Sequence, residues 1–429
     1  MEQKKSTHKG VSIKDLPLLF CGVLLASIII STVLIYIYDQ GFRISVRDVF
    51  LLYHYGIRGS RSWQMADKDH LKACEGPGVS EAKPSTKYDL TLFGPYTFEP
   101  TFRNPCWYQV QGGNHSLAPH LRCLPFFYLA GFPKCGTTDL YFRLTQHQHI
   151  VRTPRKEPHW ITRGRYDNPD LQKYTSFFAK ALKAGVRLMI HGWLVNQIQT
   201  LWLCVYLYVY VCVCWSRKGD GSASTFWDNN SWYLLPGNEN CSEPRVINAD
   251  YIRHLNPNVK VVVILRNPAD RLYSDYCYFT TNPTKAEFHT KVVEQIRQLR
   301  ECFVSNSLRQ CVYNSSINKH CRIHVGLYHI YIEDWLKRFS RDQIHVLRLE
   351  DLSANVTQEV LKIYQFLGLD SPTEEAREAM LHGLPKNKGK KRTATGAMLR
   401  ETKEILLSFY LPFNKRLAWV LNDNRYLWS

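Results

Sequence analysis

The fold of this chain is decided by the stretch Phe126-Phe-Tyr-Leu-Ala-Gly131-Phe-Pro-Lys134-Cys-Gly136-Thr-Thr138-Asp-Leu140. Its first residues form an apolar run with strand character that ends at Gly131. A turn with a lysine and a second glycine follows, and two threonines then begin a segment patterned as a helix. Such a strand–loop–helix unit binds phosphate, because glycines let the backbone approach the anion, helix N–H groups point at it and a lysine adds positive charge. The stretch therefore predicts an anion site formed by Lys134, Cys135, Gly136, Thr137 and Thr138.

This loop differs from the phosphate loop of nucleotide hydrolases. The spacing between Gly131 and Gly136 is the same, but a Walker A motif continues with Lys and then Ser or Thr, which hold the outer phosphates and Mg²⁺. Here Thr137 follows the last glycine, and the lysine lies inside the loop. The sequence therefore predicts a phosphate site without an accompanying metal, and no spacing of Cys and His indicates zinc. A kinase is the weakest of the enzyme hypotheses.

A second anion site is predicted at the end of the run Val259–Leu265. Continuous β-branched residues are typical of a central parallel strand that is buried on both faces. The run ends at Arg266, where a kinase would need an aspartate for Mg²⁺. An arginine at this point suits bidentate contact with phosphate, and Ser274 follows at the start of a predicted helix. A strand end capped by a salt bridge is the alternative.

The rest of the domain alternates between helices and strands. We predict a helix over Gly326–Phe339, a strand over Ile344–Leu349, a helix over Val360–Leu367 that Gly368 stops, and a last helix that Pro412 opens. This alternation predicts one α/β domain with a largely parallel central sheet. Ligands of such sheets bind at the carboxyl ends of the strands, where both predicted anion sites fall.

One short segment, Lys156-Glu157-Pro-His159-Trp160, combines a carboxylate with two basic side chains. A glutamate flanked by a lysine and a histidine can serve as a general base, because the cations keep it ionised and the histidine orients it. Considered from the residues alone, a solvated charged turn is the better interpretation.

The net charge of +18 indicates acidic partners. Nucleic acid, anionic lipid and acidic polysaccharide all satisfy this condition, and charge alone does not choose among them.

An anchor is predicted at the N-terminus, where Leu16–Tyr38 is a nearly uninterrupted apolar run long enough to span a bilayer. Lysines precede it, so the N-terminus is expected in the cytosol. A cleaved signal peptide is disfavoured, because the run is too long and no small-residue cleavage site follows. We therefore expect a type II membrane protein with a cytosolic tail (1–15), an anchor (16–38), a lumenal stem and lead-in (39–124) and a catalytic domain (125–429).

A lumenal location gives meaning to the sequons and the cysteines. Disulfides are expected in an oxidising compartment, and Cys302 with Cys311 is the preferred pair. Another pair is expected among Cys74, Cys106 and Cys123, although sequence does not fix connectivity. A lumenal domain also argues against nucleic acid as the acidic partner. Glycosylation is expected at the sequons of Asn114, Asn229, Asn240, Asn314 and Asn355.

The segment from Gly131 to Thr138 resembles the 5′-phosphosulfate loop of Golgi carbohydrate sulfotransferases, which use 3′-phosphoadenosine-5′-phosphosulfate (PAPS). The resemblance extends from about Pro125 to the C-terminus. It implies a P-loop-like sulfotransferase domain whose loop binds the 5′-phosphosulfate and whose Arg266 and Ser274 bind the 3′-phosphate. It further implies cofactor contacts from Lys390 and Arg392 in a basic loop.

The resemblance also changes the interpretation of the Lys-Glu-x-His segment. In the heparan and chondroitin groups of the family, the glutamate of this segment activates the acceptor hydroxyl, a role that falls here on Glu157. His159 would orient the base or the acceptor, and Lys134 would offset charge on the leaving phosphate.

The implied reaction is 6-O-sulfation of 4-sulfated N-acetylgalactosamine in chondroitin or dermatan sulfate. A heparan sulfate sulfotransferase shares the same motifs and stays an alternative. A catalytically inactive glycan-binding homologue is the alternative from another class. The implied location is the Golgi membrane, and homodimer formation stays open.

One region, 184–217, interrupts the resemblance. Its core, Leu201–Trp215, is a Val/Tyr/Cys run where relatives have a polar segment, so we interpret it as an atypical insertion. A second membrane span is short and would place Lys134 and the later motifs on opposite sides of the bilayer; a buried strand stays open. The family pattern resumes at Asp220, where relatives usually have glutamate, and no role is assigned to it.

Overall fold

The computed structural model describes Cys74 and residues 84–109, 119–179, 216–382 and 394–428. Its centre is a four-stranded parallel sheet with the strand order β4-β3-β5-β6, and a two-stranded antiparallel hairpin, β1-β2, precedes it in the chain. The strands are β1 Cys106–Gln109, β2 His120–Cys123, β3 Phe127–Gly131, β4 Gly219–Asp220, β5 Lys260–Leu265 and β6 Ile344–Arg348.

The helices surround this sheet. They are α1 Thr137–Leu144, α2 Arg165–Asp167, α3 with residues 171–179, α4 Asn248–Leu255, α5 Pro268–Phe279, α6 Lys285–Ser305, α7 Leu308–Tyr313, α8 Tyr328–Leu336, α9 Leu349–Ala354, α10 Val356–Phe366, α11 Glu374–His382 and α12 Arg400–Leu421.

The predicted parallel sheet is confirmed. Strand β3 is buried along its whole length, and β5 is buried from its second residue onward. A strand covered on both faces gains stability from apolar side chains at every position, which is why the two sequences read as continuous apolar runs. Since all four strands are parallel, the segments that follow Gly131, Asp220, Leu265 and Arg348 meet at one edge of the sheet.

Two helix predictions are wrong in their boundaries. Pro412 lies inside α12, twelve residues after its start, because α12 packs along α8 and tolerates the hydrogen bond that a proline removes. Ser274 is the seventh residue of α5 rather than its first, because Asn267 already caps the helix by accepting from the N–H of Ala269. Its hydroxyl therefore lies on the side of a helix and not at a helix N-terminus.

The disulfide between Cys302 and Cys311 is confirmed. Cys106 and Cys123 form a second bridge between opposite residues of β1 and β2. Cys74 pairs with Cys241, a partner that the sequence analysis did not consider. This last bridge spans 167 residues of chain.

Part of the predicted stem and lead-in belongs to the folded domain. The side chain of Asn104 donates to the carbonyl groups of Leu124 and Lys218, and the N–H of Ser85 donates to the carbonyl group of Leu234. The predicted anchor, Leu16–Tyr38, lies outside the described residues. Within the described ranges, the protein has no helix that combines the length and the apolarity needed to cross a bilayer.

Arg217, the last residue of the predicted atypical segment 184–217, contacts the folded domain. Arg217 forms a parallel bridge with Ile150, and its N–H donates to the carbonyl group of His149 at 2.8 Å. Arg217 therefore belongs to the domain, next to β4. The Val/Tyr/Cys run Leu201–Trp215 lies outside the described residues.

One sequon is incompatible with the fold. Asn229 is 4% exposed, and its Oδ1 accepts a 2.9 Å hydrogen bond from the N–H of Asn248, so the folded domain does not present it for glycosylation. Asn240 and Asn355 are exposed and Asn314 is half-buried. Asn114 lies outside the described residues.

Candidate active site

The loop after β3 places a helix N-terminus at the carboxyl edge of the sheet. Lys134 and Gly136 have positive φ angles of 65° and 87°, which turn the chain sharply into α1. Gly136 occupies the N-cap position, and no side chain caps the helix. The first N–H groups of a helix have no partner within it. They therefore remain available to an anion, and the helix dipole favours negative charge there.

Gly136 is also required by space. A Cβ atom at this position would lie 2.7 Å from Cδ1 of Leu349, which follows β6. The loop thus lies close to the residue that follows β6, and it also adopts a conformation that favours glycine.

Cys135 contributes no side chain to this loop's anion site. Its sulfur is buried, 3.8 Å from the hydroxyl of Tyr328, and its N–H donates to the carbonyl group of Phe132. Burial raises the pKa of this thiol to about 12, so it stays protonated. Because its thiol is buried and its N–H is already engaged, Cys135 offers no unused donor to an anion, and the cofactor contact proposed for it stays a prediction.

Basic side chains surround the loop, and one of them was not predicted. Nη1 of Arg266 donates to the carbonyl oxygen of Lys134 at 3.3 Å, so the two predicted anion sites adjoin. Burial lowers the pKa of Lys134, and the positive charges of Arg266 and Arg322 lower it further. Arg322 follows α7 and lies far from both motifs in the chain, and its sequence context gave no signal.

The ammonium group of Lys134 rests on an aromatic ring. Its Nζ lies 3.6 Å from the ring centroid of Tyr278, an exposed residue near the end of α5. A cation–π contact of this kind holds the side chain without neutralising its charge.

Ser274 lies on the same helix, half-buried. Its hydroxyl has no hydrogen bond within the described part of the chain, and the next residue, Asp275, accepts two hydrogen bonds from Arg322 at 2.7 and 2.5 Å. Helix α5 therefore fixes Arg322 and offers a free hydroxyl on one side. The other two predicted cofactor residues, Lys390 and Arg392, lie outside the described residues.

Glu157 forms the centre of a charged triad. Lys156 pairs with its Oε1, and Nε2 of His159 lies 3.0 Å from its Oε2. Burial alone would raise the pKa of Glu157, but the hydrogen bond from His159 and the positive charge of Lys156 lower it to about 2. The carboxylate is therefore ionised at any physiological pH. Its side chain is 31% exposed, so a ligand can still reach it.

His159 is held in place from the opposite side. Its Nδ1 lies 2.7 Å from the hydroxyl of Ser224, which is in turn 2.8 Å from the hydroxyl of Thr162. Its backbone N–H donates to the hydroxyl of Ser222. With the proton on Nε2 facing Glu157, Nδ1 accepts from Ser224, and the ring has one defined orientation.

Asp220, to which no role was assigned, builds the loop that supplies these serines. Its buried carboxylate accepts from the hydroxyl of Tyr174 and from the N–H of Ser222, both at 2.8 Å. Burial raises its pKa. Gly221 allows the close approach that follows, because a Cβ there would lie 2.9 Å from the ring of Tyr141 and 3.1 Å from the carbonyl oxygen of Lys156.

The arrangement combines a helix N-terminus without a side-chain cap and an ionised, oriented carboxylate, which are joined by the contacts of Lys156 with Thr138 and Glu157. Such a pair can accept the proton of a hydroxyl group while that group attacks an anionic centre held by the loop. Within the described residues, no three His, Cys, Asp or Glu side chains are placed to hold a metal ion.

Residues 125–409 match the sulfotransferase domain family, and the chain belongs to that family. It is similar to carbohydrate sulfotransferase 15 of Rattus norvegicus, with 35% identity over 85% of this chain and 72% of the rat protein. It is also similar to carbohydrate sulfotransferase 15 of Homo sapiens, with 34% identity over 80% of this chain and 68% of the human protein. A solved sulfotransferase from Alicyclobacillus acidocaldarius aligns with 70% of this chain and 97% of its own, at 19% identity and a TM-score of 0.42.

Proposed function

We propose that this sulfotransferase takes its sulfuryl group from PAPS and transfers it to the 6-hydroxyl of 4-sulfated N-acetylgalactosamine in chondroitin or dermatan sulfate. The observation that carries the proposal is the contact of Lys156 with both Thr138 and Glu157. It joins the anion-binding loop to the ionised carboxylate. A carbohydrate acceptor is supported by the names of the relatives in rat and human, and the particular sugar by the motif resemblance.

The donor would lie across the carboxyl edge of the sheet. Its 5′-phosphosulfate would accept hydrogen bonds from the N–H groups at the start of α1, with Lys134 beside it. Its 3′-phosphate would contact Arg266 and the free hydroxyl of Ser274. The contact of Arg266 with the backbone of Lys134 supports this placement, because it brings the two phosphate sites of one nucleotide together.

The reaction is an in-line displacement at sulfur. The sugar hydroxyl oxygen forms the new S–O bond while Glu157 accepts the hydroxyl proton, and the bond between sulfur and the bridging phosphate oxygen breaks. Adenosine 3′,5′-bisphosphate (PAP) leaves with the bond's electron pair. Lys134 offsets the negative charge that develops on this oxygen, and His159 keeps the carboxylate oriented.

The setting of the reaction also belongs to this proposal. The run 16–38 would anchor the protein in the Golgi membrane as a single-pass type II protein with the domain in the lumen. The net charge of +18 suits a polyanionic glycosaminoglycan, and a homodimer is compatible with this arrangement.

Product analysis tests the proposal. The full-length chain, produced in animal cells and purified in mild detergent, is incubated with PAPS and chondroitin 4-sulfate, and the disaccharides are analysed by mass spectrometry. New 4,6-disulfated units are expected. Activity on heparan sulfate alone would overturn the acceptor, and PAPS binding without transfer to any glycan would overturn the enzyme in favour of an inactive homologue.

A deletion variant separates this last outcome from an effect of the atypical segment. If the full-length chain is silent and a variant without 184–215 transfers sulfate, the segment inactivates an otherwise competent site.

A further inference from the structure

A polar cleft with a volume of about 540 Å³ opens beside Thr162 and Arg163. We call it the Arg163 cleft; its lining includes Thr162, Arg163, Trp227, Asn318, Arg322 and His324. The cleft is connected to the proposed base by hydrogen bonds, because the hydroxyl of Thr162 contacts Ser224, which contacts His159. A molecule that contacts Thr162 in this cleft would therefore be linked through two hydrogen bonds to His159, the residue that orients the proposed base.

Two buried polar atoms of the lining have no partner within the described part of the chain: Oδ1 of Asn318 and Nδ1 of His324. The orientation of the amide is fixed, because its Nδ2 already donates to the carbonyl groups of Cys311, Val312 and Asn314. Oδ1 therefore needs a donor from elsewhere. Burying such a group unpaired is unfavourable, and a ligand with N–H and O–H groups would remove that penalty.

Two arginines of the lining are held by buried carboxylates and keep donors unused. Nε and Nη2 of Arg163 both lie 2.7 Å from Oδ2 of Asp228, and Arg322 uses its Nε and Nη2 on Asp275. Neither Nη1 has a hydrogen-bond partner within the described residues. A guanidinium fixed in this way loses little freedom when it binds a second anion.

The acidic groups of the lining are Asp228, which pairs with Arg163, and Asp167, which is exposed. The cleft therefore combines fixed cationic groups with neutral hydrogen-bonding groups, as expected for a ligand that carries a charged substituent on a polar ring.

We propose that the Arg163 cleft is the acceptor subsite and that Arg163 binds the sulfate of a sulfated amino-sugar unit. Asn318 Oδ1 and His324 Nδ1 bind the neutral N–H and O–H groups of the saccharide. Arg322 lies between this subsite and the phosphate loop and serves both anions. This inference rests on the proposed function and deepens it by assigning the residue that distinguishes sulfated from unsulfated acceptor.

The test compares Arg163→Gln with the matched control Arg297→Gln. The two side chains are 51% and 54% exposed, and each has a 2.7 Å ion pair with a carboxylate. Calorimetric titration of full-length protein in detergent measures the dissociation constants of a chondroitin 4-sulfate decasaccharide, the unsulfated decasaccharide and PAP. Because a charge-assisted hydrogen bond is lost, Arg163→Gln is expected to raise the dissociation constant of the sulfated decasaccharide about tenfold. The dissociation constants of the unsulfated decasaccharide and of PAP are expected to change less than twofold. The control is expected to match the parent.

A weaker PAP complex with an unchanged decasaccharide would overturn the inference, because the cleft would then serve the donor's phosphates. Equal affinities in parent and Arg163→Gln for both saccharides would also overturn it, as would a parent that binds neither saccharide. If Arg163→Gln does not fold, Arg163→Lys retains the charge beside Asp228 but not the forked donors, and a several-fold loss for the sulfated decasaccharide alone is expected.

The inference and the proposed function can fail separately. A parent that transfers no sulfate, yet binds the sulfated decasaccharide through Arg163, would refute the function and leave the subsite standing. A parent that sulfates chondroitin 4-sulfate with an unchanged KM in Arg163→Gln would refute the subsite alone.

Discussion

The ammonium group of Lys156 donates a 3.2 Å hydrogen bond to the hydroxyl of Thr138, the second residue of α1. The same ammonium group pairs with Glu157. Burial lowers the pKa of Lys156, whereas the adjacent carboxylate opposes this shift. One side chain thus links the start of α1 to the proposed base. A displacement of the ammonium group of Lys156 would therefore change its contacts with both Thr138 and Glu157.

The first prediction concerns this link. Lys156→Met retains the length of the side chain and removes the charge and both contacts, so Glu157 loses one of its two positioning partners. We expect kcat to fall about 10- to 100-fold, as for loss of a charge-assisted hydrogen bond. Steady-state kinetics with chondroitin 4-sulfate measures the change, and Lys173→Met, at an exposed position, is the control. A kcat within twofold of the parent would show that the link has no role in turnover.

The second prediction is a pH dependence. The pKa of Glu157 is lowered to about 2, with the hydrogen bond from His159 as the largest lowering influence. The carboxylate therefore stays ionised as pH falls from 7 to 4. His159→Phe removes that hydrogen bond and moves the pKa up, toward 4.5, so a rising fraction of Glu157 becomes protonated below about pH 5.5.

The measurement is kcat/KM between pH 4 and 7.5, restricted to conditions where circular dichroism shows folded protein. An acid limb is expected to appear at higher pH in His159→Phe than in the parent. Superimposable profiles would contradict the account of how the base is kept ionised.

The third prediction separates two reasons for a glycine at position 136: the space that the loop leaves for a side chain and the left-handed backbone conformation. Gly136 and Gly368 both have positive φ angles, 87° and 65°, but only a Cβ at Gly136 meets another group; at Gly368 nothing lies within 4 Å. The strained left-handed conformation is expected to cost each alanine variant about 1–2 kcal/mol of unfolding free energy, and the contact with Leu349 adds a further cost to Gly136→Ala alone. Only Gly136→Ala is expected to lose PAP affinity, by tenfold or more. Thermal melts and PAP titration measure the two quantities, and equal PAP affinity in both variants would contradict the assigned loop.

The fourth prediction concerns glycosylation. Folded full-length protein produced in animal cells is expected to carry no glycan at Asn229, because that side chain is buried and bonded to Asn248. Exposed Asn240 and Asn355 are the comparison positions. Peptide mapping by mass spectrometry before and after deglycosylation reads out each site. A glycan on Asn229 in correctly folded protein would contradict the packing described for this region.

The sequence was sufficient to predict those elements that depend on residues close to one another in the chain. The buried strand β5 was predicted because five consecutive apolar residues follow Lys260, and β6 and α10 were predicted from their own local patterns. The phosphate loop was predicted because Gly136 and Lys134 lie within three residues of each other. In each case the relevant physics acts between neighbours in the chain.

Contacts between distant segments were not predictable in the same way. His159 is oriented by Ser224, 65 residues away and beyond the atypical segment, and Arg322 is held by Asp275, 47 residues away. A serine or an arginine has no periodic or spacing signature, so nothing local indicates such a partner. Pro412 shows the converse error. Proline prefers the start of a helix, but the packing of α12 holds Pro412 inside it.

The central claim is that Glu157 is the base, and Glu157→Gln tests it most directly. The amide keeps the shape of the side chain but cannot accept the proton. Transfer of labelled sulfate from PAPS to chondroitin 4-sulfate is measured beside Glu301→Gln, which alters an exposed glutamate paired with Arg297. The account predicts that Glu157→Gln loses about 10²- to 10⁴-fold in kcat with PAP affinity within twofold of the parent, and that Glu301→Gln matches the parent. Glu157→Gln turning over at more than about a tenth of the parent rate would contradict it.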